Sequence, residues 1–550
     1  MKPKPIRLNA ETLESRETPA TFTVTNTADS GGGSLRDAIM LANTSRGTDT
    51  IAFAIPTSDS HFVDANANGT FNTGDYWSIA PATALPTIKQ TVILDGWSQP
   101  GPADNSRPVI ELNGTGAGAT ADGLTLTNHT GSRIRGLVIN RFTGNGINIT
   151  GGGQHGIVGN FIGTDASGTQ TRANAGVGVV ITGSHVNSIG GTIARQRNLI
   201  SGNTVQGIAF KNSVSNIVQG NLVGTNITGD TAIANGSVRY DGDGIRISGG
   251  GFNIVGGNTP AARNLLSGNF DDGVDIRDGS EGNEVFGNYI GTKLGGRAIL
   301  ANRADGVYIQ DASYNLIGSI VTGEANVLSG NGYNGVFLYG DSHDNTIAGN
   351  FIGTNSKGDR LGNSTVVDFA DGIFLGQLGA PVGPAQNTIT RNVIAYNNDS
   401  AISVDLTPTA NTVGNTITEN SIFGNAHIAI DFTNTGTVTP NDPSDPDVGP
   451  NRLQNFPVLL APTANGNGTF TVTGTLNSTP NRPFRIEFFA SGSAGQGRLF
   501  LGSVVILAAG DGNTPQFSLT YSRPPAMQFI TATATDLATG DTSQFSASVS

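Results

Sequence analysis

Four short segments of this chain are near-copies of one another. GNFIGT at 159–164 returns as GNLVGT at 220–225, GNYIGT at 287–292 and GNFIGT at 349–354. Their asparagines, Asn160, Asn221, Asn288 and Asn350, are spaced 61, 67 and 62 residues apart. Self-similarity at a fixed period marks a chain built from units that bury their apolar faces only by stacking. A second series runs offset from the first: RNLISGN at 197–203, RNLLSGN at 263–269 and ANVLSGN at 325–331. A third has the form Gly-apolar-any-apolar. It reads GLTL at 123, GINI at 146, GVVI at 178, GIAF at 207, GIRI at 244, GVDI at 273, GVYI at 306, GVFL at 335 and GIFL at 372. AISV at 401 and HIAI at 427 are degenerate copies.

The third series steps by 23, 32, 29, 37, 29, 33, 29, 37 and 29 residues. One step is one coil, and a short and a long step together make the longer period. Within a coil, short β-rich pieces such as GVFL, NTIA and NFIG alternate with Gly, Asn, Asp and Ser turns. That is strand grammar with turn punctuation, and no helical period lies between the pieces. The expected fold class is all-β: a parallel β-helix of eleven coils from 123 to about 432, rising about 4.8 Å per coil. Parallel crossovers favour a right-handed coil. The extra residues of the long steps follow the GT of GNxIGT, as in 165–176 and 355–371, and are expected to leave on one side. Ile147, Val179, Ile208, Ile245, Val274, Val307, Val336 and Ile373 form one expected inward stack. The recurrent Asn of SGN and GN is expected to form amide ladders at the turns.

The ends differ from the middle. Ser34-Leu-Arg-Asp37 has the form of a capping box with Asp in the last place, opening a short amphipathic helix over about 34–43. Such a helix can cover the first coil, whose open edge would otherwise invite aggregation. The resulting division is 1–20 as an export tag, 21–120 as N-terminal cap and first coils, 121–434 as β-helix, 435–456 as a Pro- and Asp-rich linker, and 457–550 as a β-sandwich. In that last stretch FTVTGTL, FRIEFFA, LFLGSVVIL, QFSLTYS and FITATATD alternate apolar and polar residues between turns.

Three resemblances follow. Residues 21–45 resemble the start of a CSLREA-type bacterial surface protein, with Gly33 where that family has its hallmark cysteine. The coils resemble the right-handed β-helix repeat proteins of the pectin-lyase-like superfamily, and 457–550 resembles a small bacterial Ig-like domain. The stretch Glu11-Thr-Leu-Glu-Ser-Arg16 with Pro19 resembles an N-terminal tag of exported bacterial surface proteins. Together these imply an exported protein of extracytoplasmic location, secreted or on the cell surface. Such folds host lyases, hydrolases, adhesins and stalks, so the resemblance fixes architecture and not activity.

Composition removes several functions. Cysteine is absent, which excludes disulfides, thiol nucleophiles and cysteine metal sites. Net charge is −12 and no Lys/Arg-rich run occurs, so nucleic acid is not an expected partner. No stretch of 18 apolar residues suggests a transmembrane helix. The basic N-terminus lacks the apolar core of a standard signal peptide. No organic cofactor motif is present.

Three constellations could carry chemistry. Asp64-x-Asn66-x-Asn68-Gly69-Thr70, closing at Asp75, fits a calcium-loop template with Asp in the last place. Asp64, Asn66, Asn68, Thr70 and Asp75 are therefore candidate Ca²⁺ ligands, against the alternative of a plain polar turn. Second, the residue before each coil's glycine is often acidic, including Asp122, Asp243, Asp272, Asp305 and Asp371, which is ordinary turn chemistry. Asp271, Asp272 and Asp275 nevertheless cluster on one coil, with Arg246 one coil earlier and Arg277 on the same coil. Polygalacturonase-like enzymes of the resembled superfamily use three carboxylates on adjacent coils with a nearby histidine. Here the matching histidine motif is missing, and Gln154-His155-Gly156 lies several coils away. Third, outward positions on successive coils read Arg246, Asp275, Tyr308, Phe337, Phe374, beside Ser248, Arg277, Gln310, Tyr339. Aromatic rings on an outward face call for a partner, either sugar rings or a super-repeat loop folded over them. The expected function is a non-catalytic, exported β-helix that binds glycan or another surface, its partner a polysaccharide or cell-surface component. The alternatives are a polysaccharide hydrolase or lyase using Asp271, Asp272 and Asp275, and a structural surface stalk.

Overall fold

The structure is a computed structural model that describes residues 19–101, 107–239, 241–364, 370–376, 382–405, 412–522 and 526–550. The tag motif at 11–16 lies outside the described residues. From residue 21 to 431 the chain winds through three long sheets. The first has 13 strands, from Thr21–Val24 to Thr416–Thr418. The second has 13, from Phe62–Val63 to Ser421–Phe423, and the third has 11, from Leu124–Thr127 to Ile430–Asp431. Each coil visits the three in turn, and successive coils pair in parallel and in register, as in Val274↔Val307↔Val336↔Ile373. The antiparallel pair Phe62–Val63 with Tyr76–Ile79 is an exception near the start. The 11 strands of the third sheet carry the Gly-apolar-any-apolar motif, as its spacing requires.

Strands of two to four residues cannot hold a fold by themselves; the stack does. Ile147, Val179, Ile208, Ile245, Val274, Val307, Val336 and Ile373 are fully buried and belong to one continuous core. Each adds roughly 1.5–3 kcal/mol of burial. Three asparagine ladders run along the three corners. One passes through Asn160, Asn198, Asn221, Asn264, Asn288, Asn326 and Asn350, each side-chain amide donating to the next carbonyl oxygen. The second runs through Asn174, Asn203, Asn235, Asn269, Asn302 and Asn331. The third, Asn187, Asn216, Asn253, Asn283, Asn315, Asn345, Asn387, does the same where the third sheet turns into the first. These amides are buried and neutral, so the turns satisfy their backbone groups without burying charge.

The long steps do leave on one side. After the second-sheet strands the chain forms small hairpins closed by Thr164↔Thr171, Thr225↔Ala232 and Thr292↔Ile299. They stack on each other: Ile227 N–H donates to Gly168 carbonyl (3.0 Å) and Leu294 N–H to Gly229 carbonyl (2.9 Å). Their underside covers Phe161, Leu199, Leu222 and Leu265, forming a second small core with Val138, Ala166, Ile227 and Tyr289. Gly168 has φ +69°, and a Cβ there would meet Leu199, Ile227 and Phe161 at 2.9–3.0 Å, so only glycine fits.

Both ends are closed. The helix α1 (Leu35–Thr44) is capped by Ser34, whose Oγ accepts from Asp37 N–H at 3.2 Å. Its buried face, Leu35, Ala38, Ile39 and Ala42, joins the main core. At the far end two three-stranded antiparallel sheets form a β-sandwich around Val472, Phe484, Ile486, Phe488, Ile530 and Ala532. The sandwich sits on the last coil: Ile417 N–H donates to Thr542 Oγ1 (2.9 Å), Ile422 N–H to Gly497 carbonyl (2.9 Å), and Phe489 and Phe545 enter the β-helix core. The stretch expected to be a linker is anchored as well. Its Asn451 is buried, accepts from Asn415 N–H (3.0 Å), and so supplies the last rung of an asparagine ladder. Arg452 of the same stretch pairs with Asp541.

Candidate functional site

The third sheet's outer face brings the sequence candidates together. Register pairs Arg246↔Asp275, Asp275↔Tyr308, Tyr308↔Phe337 and Phe337↔Phe374, so these five side chains form one outward row. Arg277 and Tyr339 stand in the neighbouring row. The row has a charged half and an aromatic half.

In the charged half, Arg246 Nε lies 2.7 Å from Asp275 Oδ2 and its Nη2 lies 2.7 Å from Asp243 Oδ2. Arg277 grips the same Asp275 with Nη2 at 2.5 Å and Nε at 2.8 Å. Asp275 and Asp243 are buried, whereas the Arg246 side chain keeps 17% of its surface exposed. Below them runs a row of carboxyls at the edge of the sheet. Asp272 Oδ1 accepts from Asp305 N–H at 2.8 Å, and Asp305 Oδ1 accepts from Asn334 N–H at 2.7 Å. Burial pushes Asp272 and Asp243 well above the carboxylate range, reinforced by Asp305 and Asp275 respectively. Burial also pushes Asp305 up to about 7. Asp275 is raised by burial against the pull of both guanidiniums.

The three carboxylates singled out as catalytic therefore have different fates. Asp272 is a rung of the carboxyl row and Asp275 is clamped by two arginines. Asp271 alone reaches a surface cleft of about 300 Å³, lined also by Asp241, Phe270, Arg303 and Tyr333. Burial raises its pKa, and the Asp241 charge adds to the rise. Asp243 and Asp305, which read as turn residues in the sequence, stand beside Asp272 in the same buried row. One ligand atom each from Asp243, Asp271 and Asp272 falls within 4.8 Å of the others, but Asp243 already spends its free oxygen on Arg246.

In the aromatic half the rings pack on each other up the helix. Centroids of Tyr308 and Phe337 lie 5.3 Å apart, and those of Phe337 and Phe374 lie 5.0 Å apart at an interplanar angle of 27°. Tyr339 flanks Phe337 at 6.1 Å. Arg277 sits over the Tyr308 ring at 5.6 Å, joining the two halves by a cation–π contact. All four rings are half-buried. Among the described residues, the hairpins closed at Thr164↔Thr171, Thr225↔Ala232 and Thr292↔Ile299 lie on the second sheet and not over these rings.

Residues 291–442 match the family model described as the right handed beta helix region. The β-helix is right-handed, and the matched span carries the aromatic half of the row. No curated protein sequence matches the chain. Among solved structures the β-helix is similar to a periplasmic alginate epimerase, with 14% identity over 69% of this chain and 78% of that one, at a TM-score of 0.40. It is also similar to the A-module of an Azotobacter vinelandii mannuronan C-5 epimerase, with 13% identity over 72% and 91%, at a TM-score of 0.37. A Pseudomonas phage tailspike protein aligns over 76% and 67% at 11% identity and a TM-score of 0.27. Likeness this distant carries nothing about activity.

The calcium-loop candidates form a separate feature. Asp64 Oδ2 accepts from Gly69 N–H (2.7 Å), and Asn66 Nδ2 donates to Asn72 Oδ1 (2.9 Å). Asn68 Oδ1 accepts from Thr70 N–H (2.9 Å), and the Thr70 carbonyl accepts from Asn72 Nδ2 (2.7 Å). Asp75 is buried, with its two oxygens taken by Ala65 N–H and Asn72 N–H at 2.8 and 2.9 Å. The loop thus holds its own shape through side chain-to-backbone bonds.

Proposed function

We propose that this protein is an exported, non-catalytic β-helix that binds a polysaccharide or another cell-surface component on the outer face of its third sheet. The carrying observation is the half-buried outward aromatic row Tyr308–Phe337–Phe374 with Arg277 and Tyr339 beside it. Sugar rings offer an apolar face and a rim of hydroxyls, which suit aromatic rings bordered by guanidinium and carboxylate groups. The buried carboxyls favour binding over catalysis. Asp272 and Asp275 are spent on a backbone amide and two guanidiniums, and general acid–base work needs a group free to reach its substrate. The CSLREA-like start and the Ig-like reading of the sandwich fit a surface protein, the sandwich serving as a spacer. Among the described residues no helix is long and apolar enough to cross a membrane. Calcium at Asp64–Asp75 remains part of the proposal, as a brace for the N-terminal loop.

A glycan array followed by a reducing-sugar assay on each hit tests the reading. Retention without release of reducing ends, lost in Phe337→Ala, is the expected result. Release of reducing ends that disappears in Asp271→Asn would instead favour the hydrolase, because Asp271 is the raised carboxyl that faces the cleft.

A further inference from the structure

Where the third sheet turns into the first, each coil places one residue in the left-handed region. The row reads Gln154, Val186, Ser215, Phe252, Gly282, Tyr314, Asp344, Gln386, with φ between 55° and 64°. The bridges His185↔Val214↔Gly251↔Glu281↔Ser313 just before these residues fix that register. Glycine, asparagine and aspartate accept such backbone readily; a valine, phenylalanine or tyrosine there is strained. Yet the three large side chains return little internal packing, since Val186, Phe252 and Tyr314 are 51%, 62% and 60% exposed. Strain kept at an exposed position points to use rather than to folding.

Their arrangement is regular. They occupy every second coil, so neighbours stand about 10 Å apart along the axis by the strand spacing. The two intervening residues, Ser215 and Gly282, are small, and Asp344 follows Tyr314. The Phe252 ring lies over the next coil's glycine, with ring atoms 2.8–2.9 Å from where a Cβ of Gly282 would stand. Tyr314 likewise rests edge-on against His343 at 5.9 Å. The side chains are therefore held along the surface rather than projecting freely from it. Val214 and Ile217, exposed on the coil between Val186 and Phe252, make the lower part of the row continuous.

We propose that the row Val186–Phe252–Tyr314 is a second binding surface, one that takes an uncharged, extended polysaccharide lying along the helix axis. A repeating polymer is the occupant that meets a repeating row, and two pyranose rings in an extended chain span about two coils. The lack of charge on the ligand follows from the neighbours. Glu281 lies on the coil between Phe252 and Tyr314, Glu284 follows it, and Asp344 sits one coil beyond Tyr314. An anionic chain would meet like charge there. The surface is separate from the third-sheet face, and neither proposal depends on the other.

The test is co-sedimentation of the full chain with microcrystalline cellulose and chitin, and affinity electrophoresis in a soluble neutral β-glucan, with alginate as the anionic comparison. Binding to at least one uncharged polymer is expected, weakened about tenfold or more in Phe252→Ala/Tyr314→Ala. Phe252→Asn, which suits the left-handed backbone, should lose binding yet melt no lower than the wild type. The proposal is overturned if no uncharged polymer binds, if the double variant binds normally, or if Phe252→Asn melts lower, which would make the ring structural. It is equally overturned if the wild type forms a concentration-dependent dimer that Phe252→Ala dissolves, since the occupant would then be a second copy.

Discussion

The second and third sheets carry the same kind of outward apolar row and treat it in opposite ways. On the second sheet Phe161, Leu199, Leu222, Leu265 and Tyr289 pair coil to coil, and the chain's own hairpins lie over them. On the third sheet Tyr308, Phe337 and Phe374 pair in the same way, and those hairpins do not lie over them, so the rings stay half-buried. The corners differ too. Those leading into the first and second sheets are held by neutral asparagines. The corner leading into the third sheet adds a second row, Asp243, Asp272 and Asp305, with raised pKa values. The difference teaches that insertions after the second-sheet strands turn one outward row into core and leave the other as surface. The same row chemistry therefore means stability on one face and, in the proposed function, recognition on the other.

Reversing the inside and outside of the third sheet should have the largest effect. Val336→Asp puts a carboxyl into the dry stack and should unfold the protein or leave it insoluble, because a buried carboxyl without a partner costs several kcal/mol even when it takes up a proton. A normal melting curve would mean that the two faces have been exchanged. On the covered face, Leu222→Ala should lower stability by about 2–4 kcal/mol, read by urea denaturation, with glycan binding intact.

The acidic corner sharpens the contrast through pH. The folded pKa of Asp305 is about 7, above its ordinary value in an unfolded chain. Its contribution is therefore fully present at pH values below about 4 and is lost as pH rises from there through about 7. Asp305→Asn keeps an oxygen to accept from Asn334 N–H and cannot ionise. It should raise stability at pH 8 by up to about 4 kcal/mol and leave it unchanged at pH 3. Asn221→Asp, which plants a carboxyl in a neutral ladder, should create the same alkaline loss at another corner.

Much of this was legible in the sequence. The spacing of Gly-apolar-any-apolar predicts eleven coils and the third sheet has 11 strands, because a parallel stack forces one residue to repeat above the last. Asn160 and Asn203 announce their ladders by sitting in the repeated segments GNFIGT and RNLISGN. The ladder through Asn187, Asn216 and Asn253 has a looser signature, an Asn followed two residues later by Ile or Val, too short to stand out until the coils are aligned. The expected inward stack and the capping helix follow from local periodicity. Which face the hairpins cover does not, since that depends on the direction in which the chain leaves Thr164, Thr225 and Thr292. Asp243 and Asp305 read as turn residues, and only the coil geometry shows that they join Asp272 as one buried row. The strained positions Phe252 and Tyr314 were equally silent, because φ is not written in a residue's identity.

The smallest expected effect is at the N-terminal loop. If Asp64–Asp75 takes calcium, EDTA should lower the melting temperature slightly, and Asp64→Ala should erase that difference. Identical melting with excess calcium and with EDTA would remove the metal from the account.

The central claim is that the aromatic row of the third sheet is surface kept for a ligand. Phe337→Ala, measured for melting temperature and for binding to the glycan identified on the array, tests it most directly. The account predicts a melting temperature within about 2 °C of the wild type together with at least about tenfold weaker binding. A large drop in melting temperature with binding unchanged would contradict it and make this row, like its counterpart under the hairpins, part of the core.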